Sequence, residues 1–450
     1  MTVDVLIRCA RLVLPEGEAA GDIAIADGRI VAIGPNAAEA ARAEIDARGL
    51  VALPGAVDAH VHFNEPGRTD WEGWATGSRA VAAGGGTLVV EMPLNASPPT
   101  LDGAAFDVKR AAAESASVVD FALWGGLTPI NLSCLDELAA RGVVGFKAFM
   151  SGSGIDDFPA ADDLTLYEGM LAAARLGLPV AVHAESDVIT SRLAARAIAA
   201  GRSAPRDYLA SRPVVAETEA ISRAIHLAET TGCALHIVHV SSGAGAASIA
   251  EARSRGVDVT GETCPHYLVF TADDLERLGA VAKCAPPLRP QSDVDALWTA
   301  LARGDLQYVA SDHSPAPAAM KTGADFFKIW GGISGCQSLL ALLLADGAAR
   351  GFSLAAIANL VGAAPANRLR LAGKGMLAPG MDADVTLIEP DAEWTLTAAD
   401  LQYRHRHSPY LGRRFRGAVR RTMLRGRTIW QDDRIVSGPC GQLVRPAPVA

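Results

Sequence analysis

The chain has 450 residues, half of them hydrophobic and a fifth charged, which is ample for a large buried core and argues against disorder. A formal net charge of -9 argues against a nucleic-acid surface, which would need clustered Lys and Arg. No stretch approaches the ~18 uninterrupted apolar residues of a membrane span, and the first residues, MTVDVLIRCARLVLPEGEA, lack the unbroken apolar core of a signal peptide.

From the N-terminus, residues 3–34 read as short strands with a hairpin turn at Asp27-Gly28 in GDIAIADGRIVAIG. Eight apolar runs follow, at 51–62, 87–94, 118–126, 143–150, 179–184, 234–241, 257–263 and 306–312. Amphipathic stretches such as 164–176 and Val214–Thr231 separate them. Apolar strands alternating with helices predict a parallel sheet covered on both faces, and eight such units favour a closed barrel. Residues 380–436 return to the strand texture of the N-terminus. The expected fold class is α/β, a (β/α)8 barrel with a small β-sandwich domain built from both termini. The expected boundaries are 1–50 and 373–440 for the two parts of the sandwich, 51–372 for the barrel and 441–450 for a loosely held, Pro-rich tail. The basic run Arg413 to Arg427 is broken by apolar residues and reads as strand edges and solvated faces. Seven scattered cysteines without a CxxC pair predict no disulfide framework, and a cytoplasmic location.

The chemistry-bearing residues fall at the ends of these runs. AHVHF gives His60 and His62, alternate residues whose imidazoles point to one side of a strand. GFKAFM places Lys147 inside an apolar strand, where a charge is costly. AVHAES gives His183, HIVHVSS gives His239 and ASDHSP gives Asp312. Each is weak alone and could be a packed or snorkelling side chain. Together they converge on the C-terminal face, where barrel enzymes keep their chemistry. His236 is three residues before His239 and is expected to be packed or hydrogen-bonded. His226, His405 and His407 receive no metal role, and His266 and His313 stay open between structural, supporting and substrate roles.

At these residues the chain resembles the cyclic amidohydrolases, the family of dihydroorotases, hydantoinases or dihydropyrimidinases, and allantoinases. The resemblance runs from the opening hairpin to GKGMLAPGMDADV. HVHFNEPGRTDWEGWATGSRAVAAGGGTLVVEMPLNASPPT and WGGISGCQ resemble the allantoinase branch. The resemblance implies two divalent ions, zinc first, with cobalt or manganese as alternatives. His60, His62 and Asp312 would hold one ion and His183 and His239 the other, with Lys147, carboxylated on its amine, bridging the pair. It implies hydrolysis of a ring amide, with Asp312 moving the proton, and allantoin as a neutral small-molecule substrate giving allantoate. Neither nucleic acid nor membrane is an expected partner, and the resemblance implies a homo-oligomer, with a tetramer as the expectation.

Dihydroorotases carry Arg two residues after the HxH, where this chain has Asn64, and hydantoinases carry Tyr five residues after the bridging lysine, where it has Gly152. Both departures favour allantoin, with the cyclic diamides of hydantoinases as the alternative. Asn64 and Asn95 are expected substrate contacts, with backbone groups near Ala285 and Gly331. Arg68 is expected in a structural ion pair with Glu65 or Glu72. A non-catalytic scaffold relative would lack ligands, whereas all six ligand positions are filled here.

Overall fold

The computed structural model describes residues 2–448. Eight parallel strands form a barrel: Ala56–Val61, Gly86–Glu91, Asp120–Leu123 (continued by Gly125–Gly126), Phe146–Phe149, Val180–His183, Leu235–Ile237, Val259–Thr263 and Tyr308–Val309. The barrel closes where the His62 N–H donates to the His313 carbonyl at 2.7 Å and Val61 bridges His313 in parallel register. Helices including Trp74–Ala83, Asp163–Leu176, Val214–Thr231 and Gln291–Arg303 surround it. Their starts follow local chemistry: the Asp162 side chain accepts from the Thr165 N–H at 2.8 Å and caps Asp163–Leu176. Strand residues are buried almost without exception, as expected for a sheet covered on both faces.

Both termini build one nine-stranded sheet beside the barrel. Thr2–Leu14 pairs antiparallel with Gly17–Ala26, which returns through Asp27 and Gly28, both at positive φ, into Arg29–Gly34. Val385–Thr395, Arg414–Leu424 and Arg427–Gln431 supply the C-terminal strands. Ile7, Ile23, Ile25, Val385, Leu387 and Met423 from both ends meet in one core. Lys374 fastens this sheet to the barrel. It is buried among Asp120 of the third barrel strand at 2.6 Å, Asp384 at 2.8 Å and Asp382 at 2.9 Å.

Three sequence expectations change. The run 51–62 is two strands in two sheets, because Val51–Pro54 pairs antiparallel with Val385–Ile388 and parallel with Arg11–Leu12. Only Ala56–Val61 enters the barrel, so the terminal sheet extends past the boundary expected at residue 50. The break is Gly55, where a Cβ would lie 2.2 Å from the Thr87 hydroxyl. The tail is held rather than loose: the Phe121 N–H donates to Gln442, Val444 to Phe121 and Ala447 to Arg370. Val449 and Ala450 lie outside the described residues. Within the basic run, Arg413 pairs with Asp346, Arg414 with Glu393, Arg416 with Asp391 and Arg420 with Glu389. No described helix is long and apolar enough to cross a membrane, and the seven cysteines are free thiols.

Candidate active site

The residues singled out by pattern meet at the C-terminal mouth of the barrel. His60 Nε2 lies 3.2 Å and His62 Nε2 3.5 Å from Asp312 Oδ1. His183 Nδ1 is 2.9 Å from His239 Nε2, and the His60 and His239 ring centroids are 5.5 Å apart. Lys147 is fully buried, and its Nζ has no hydrogen-bond partner. It lies 5.1 Å from the centre of the Phe149 ring. His239 and Asp312 adopt left-handed backbone, φ 41° and 46°, which turns the chain out of the strand at the point of chemistry.

Burial decides the charge states. It brings Lys147 down to about 7 and His62 down to about 4, favouring neutral amine and neutral imidazole. Burial would raise Asp312, but His60 and His62 outweigh it and hold the carboxylate ionised, well below its ordinary range. Neutral imidazoles, an ionised carboxylate and an unpartnered buried amine suit divalent ions of borderline softness. His60, His62 and Asp312 each bring a ligand atom to within 4.8 Å of the others.

A layer of acids behind these groups is absent from the sequence reading. Glu262 Oε1 accepts from His60 Nδ1 at 2.5 Å, leaving His60 Nε2 free to face the site. Its other oxygen meets His236 Nε2 at 3.2 Å, and His236 also reaches the Tyr308 hydroxyl at 2.8 Å, so His236 is a satisfied packed residue. Glu185 Oε2 is 2.9 Å from His183 Nε2 and is paired with Arg212. Although burial would raise both, Arg212 and His183 hold Glu185, and His60 and His236 hold Glu262, down at about 2. Alternation in AVHAES places Glu185 on the side of His183, whereas Glu262 lies in the polar text VTGET and carried no comparable signal.

A cavity of 440 Å³ opens over the site, and Asn95, Gly152, Ala285 and Gly331 line it. Asn64 does not. It is buried in the wall at φ 64°, its amide 3.4 Å from the Pro315 carbonyl, and its backbone N–H supports the Glu91 carboxylate. The expected substrate contact at Asn64 finds no support in the cavity lining, which includes Asn95 but not Asn64. Arg68 does form a structural ion pair, but with Asp157 at 3.2 Å, and it also donates to the Asn95 carbonyl at 2.9 Å. Glu65 instead accepts from the Trp74 N–H and Glu72 from the Arg404 N–H. His313 is buried behind the site, accepting from the Gly335 N–H, and His405 lies outside it, against the Asp70 carbonyl. Of the cations lining the cavity, Arg212 is engaged by Glu185 and Lys283 by the Phe326 and Ile329 carbonyls, while Lys328 is exposed, 3.6 Å from Asp325.

Comparison with known proteins agrees with this geometry. The model of the amidohydrolase family matches residues 51–429. An allantoinase of Rubrobacter xylanophilus is 60% identical over 98% of each chain, and one of Deinococcus radiodurans is 53% identical over 99% of each. Among solved structures, an L-hydantoinase (dihydropyrimidinase) from Arthrobacter aurescens superimposes with a TM-score of 0.96 at 35% identity, covering 98% of this chain and 100% of its own.

Proposed function

The chain belongs to the amidohydrolase family, and from that premise we propose that it hydrolyses the ring amide of allantoin to give allantoate. The observation that carries the reading is the convergence of His60, His62, His183, His239 and Asp312 around the buried, unpartnered amine of Lys147. Relatives named allantoinase, matched over nearly their whole length, support the choice of ring.

His60, His62 and Asp312 would hold one divalent ion, zinc in the first instance, and His183 and His239 a second. Lys147, carboxylated at Nζ, would bridge the two. The amine must be neutral to take up carbon dioxide, and burial supplies that condition near neutral pH. When bound, the ion pair supplies Lewis acidity that makes water a nucleophile at neutral pH and polarises a carbonyl. Glu262 and Glu185 fix the tautomers of His60 and His183, presenting lone pairs forward. Asp312, held ionised at the strand end, accepts the proton of the attacking water on a carboxylate oxygen and returns it to the departing ring nitrogen. Asn95, Ala285 and Gly331 line the cavity, and their polar groups would face the ring.

A neutral ring suits this cavity. Dihydroorotate would bring in a carboxylate, and Arg212 and Lys283 of the cavity wall are already engaged. An unpaired charge costs several kcal/mol, so allantoin should be preferred by at least ~10². The test is ring-opening rate on allantoin, hydantoin, dihydrouracil and dihydroorotate with metallated protein. Equal rates on dihydroorotate and allantoin would refute the cavity argument. A preference for simple hydantoins would keep the chemistry and change the substrate.

A further inference from the structure

Where the seventh barrel strand, Val259–Thr263, gives way to the short helix Pro265–Val269, Cys264 and His266 are both completely buried. Cys264 Sγ, a His266 ring nitrogen and an Asp312 oxygen lie within 4.8 Å of one another. Neither ring nitrogen of His266 has a hydrogen-bond partner. Buried imidazoles seldom forgo both bonds, since each unpaired polar group costs about 1–3 kcal/mol. Asp312 is thus shared by two donor sets, one with His60 and His62 and one with Cys264 and His266. Nothing in the hydrolytic mechanism uses Cys264 or His266.

We propose that Cys264, His266 and Asp312 form a third, weaker site for a thiophilic divalent ion such as zinc, cobalt or cadmium, and that filling it inhibits hydrolysis. Sulfur, imidazole nitrogen and a carboxylate oxygen together suit borderline and soft ions, whereas magnesium and calcium demand oxygen donors. Binding breaks the Cys264 S–H bond, forms a sulfur–metal bond and releases the proton to solvent. The third ion shares the Asp312 charge with the pair already there, so this site fills last. Once engaged on its second side, Asp312 can no longer accept and return the proton.

The inference rests on the place of Asp312 in the paired-ion site, which the metal content and activity of the unvaried enzyme test separately. Enzyme carrying two zinc ions per chain would be titrated with cobalt(II) while its spectrum and ring-opening rate are followed. The paired site contains no sulfur, so a thiolate-to-cobalt charge-transfer band can come only from a cysteine. The expected result is a band that saturates at one added ion per chain. The rate should fall in step by ~10² or more, the loss expected when an acid–base group is disabled. Cys264→Ser should abolish the band, and His266→Ala should weaken binding at least tenfold. Cys284→Ser, at another buried cysteine beside the cavity, should leave both band and inhibition intact. Absence of a band at cobalt excess in the unvaried enzyme would overturn the proposal whether or not the variants fold. So would a band that persists in Cys264→Ser, or equal inhibition by magnesium.

Discussion

Replacing Glu262 by Gln tests whether the acid behind His60 sets metal affinity. Glu262 is 1% exposed and accepts from His60 Nδ1 at 2.5 Å and His236 Nε2 at 3.2 Å. A hydrogen bond to a charged partner contributes about 1.5–3 kcal/mol and a neutral one about 0.5–1.5 kcal/mol. Glutamine keeps the shape and can still accept from His60, while its amino group can donate to His236. His236 can adopt that tautomer by donating from Nδ1 to Thr260 Oγ1, 2.9 Å away. The variant therefore loses charge but no partner, a deficit of about 1–1.5 kcal/mol, or roughly tenfold in the dissociation constant of the ion at His60. Glu262→Ala loses the partner as well and should weaken binding toward 100-fold, the upper range for such supporting residues. Competition against a chelator of known affinity measures both. Unchanged metal affinity in both variants, with folding intact, would refute the claim that Glu262 orients His60.

Three further outcomes are expected. Burial brings Lys147 down to about 7, and only its neutral amine can take up carbon dioxide, so the carboxylation-competent fraction grows as pH rises through that value. Bicarbonate-dependent reactivation of metal-stripped enzyme should therefore level off above about pH 8 instead of climbing toward the ~10.4 of an ordinary lysine; a rise continuing to pH 10 would contradict the buried neutral amine. Asp312→Asn should lower kcat by on the order of 10²–10⁴, and a fully metallated variant with normal turnover would remove the proton-transfer role. Lys374→Met leaves the carboxylates of Asp120, Asp382 and Asp384 without their shared cation and should cost about 3–5 kcal/mol, read as a lowered denaturation midpoint with the kinetics of the remaining folded enzyme unchanged.

The barrel was legible because each strand is a bounded apolar run, and parallel strands buried on both faces need no finer pattern than that. The same property hid the first boundary. Val51–Pro54 and Ala56–Val61 are both wholly buried, so the apolar run masks the Pro54-Gly55 breaker between them, and the 2.2 Å approach of Thr87 shows why the chain changes sheets there. The tail misled for the opposite reason. GQLVRPAPVA has the composition of a loose end, yet its order comes from backbone bonds to Phe121 and Arg370, long-range contacts that composition does not encode.

At the site, residues whose type is anomalous in their strand could be found, and residues that act through backbone direction could not. Lys147 and the four histidines stand out because imidazole or ammonium inside an apolar run requires a reason. The roles of Glu262 and Glu185 appear only when strands distant in sequence meet: His60 and Glu262 are 202 residues apart and share a 2.5 Å bond. Asn64 shows the converse. Its position after HxH invites a side-chain role, but its amide faces the Pro315 carbonyl and its N–H supports Glu91. Left-handed backbone recurs at Asn95, His239 and Asp312, which all line the opening. Asparagine, aspartate and histidine are the non-glycine residues that tolerate this conformation best. The local geometry thus limits which residue types can occupy these strand ends, and the chemistry then draws on aspartate and histidine from that short set.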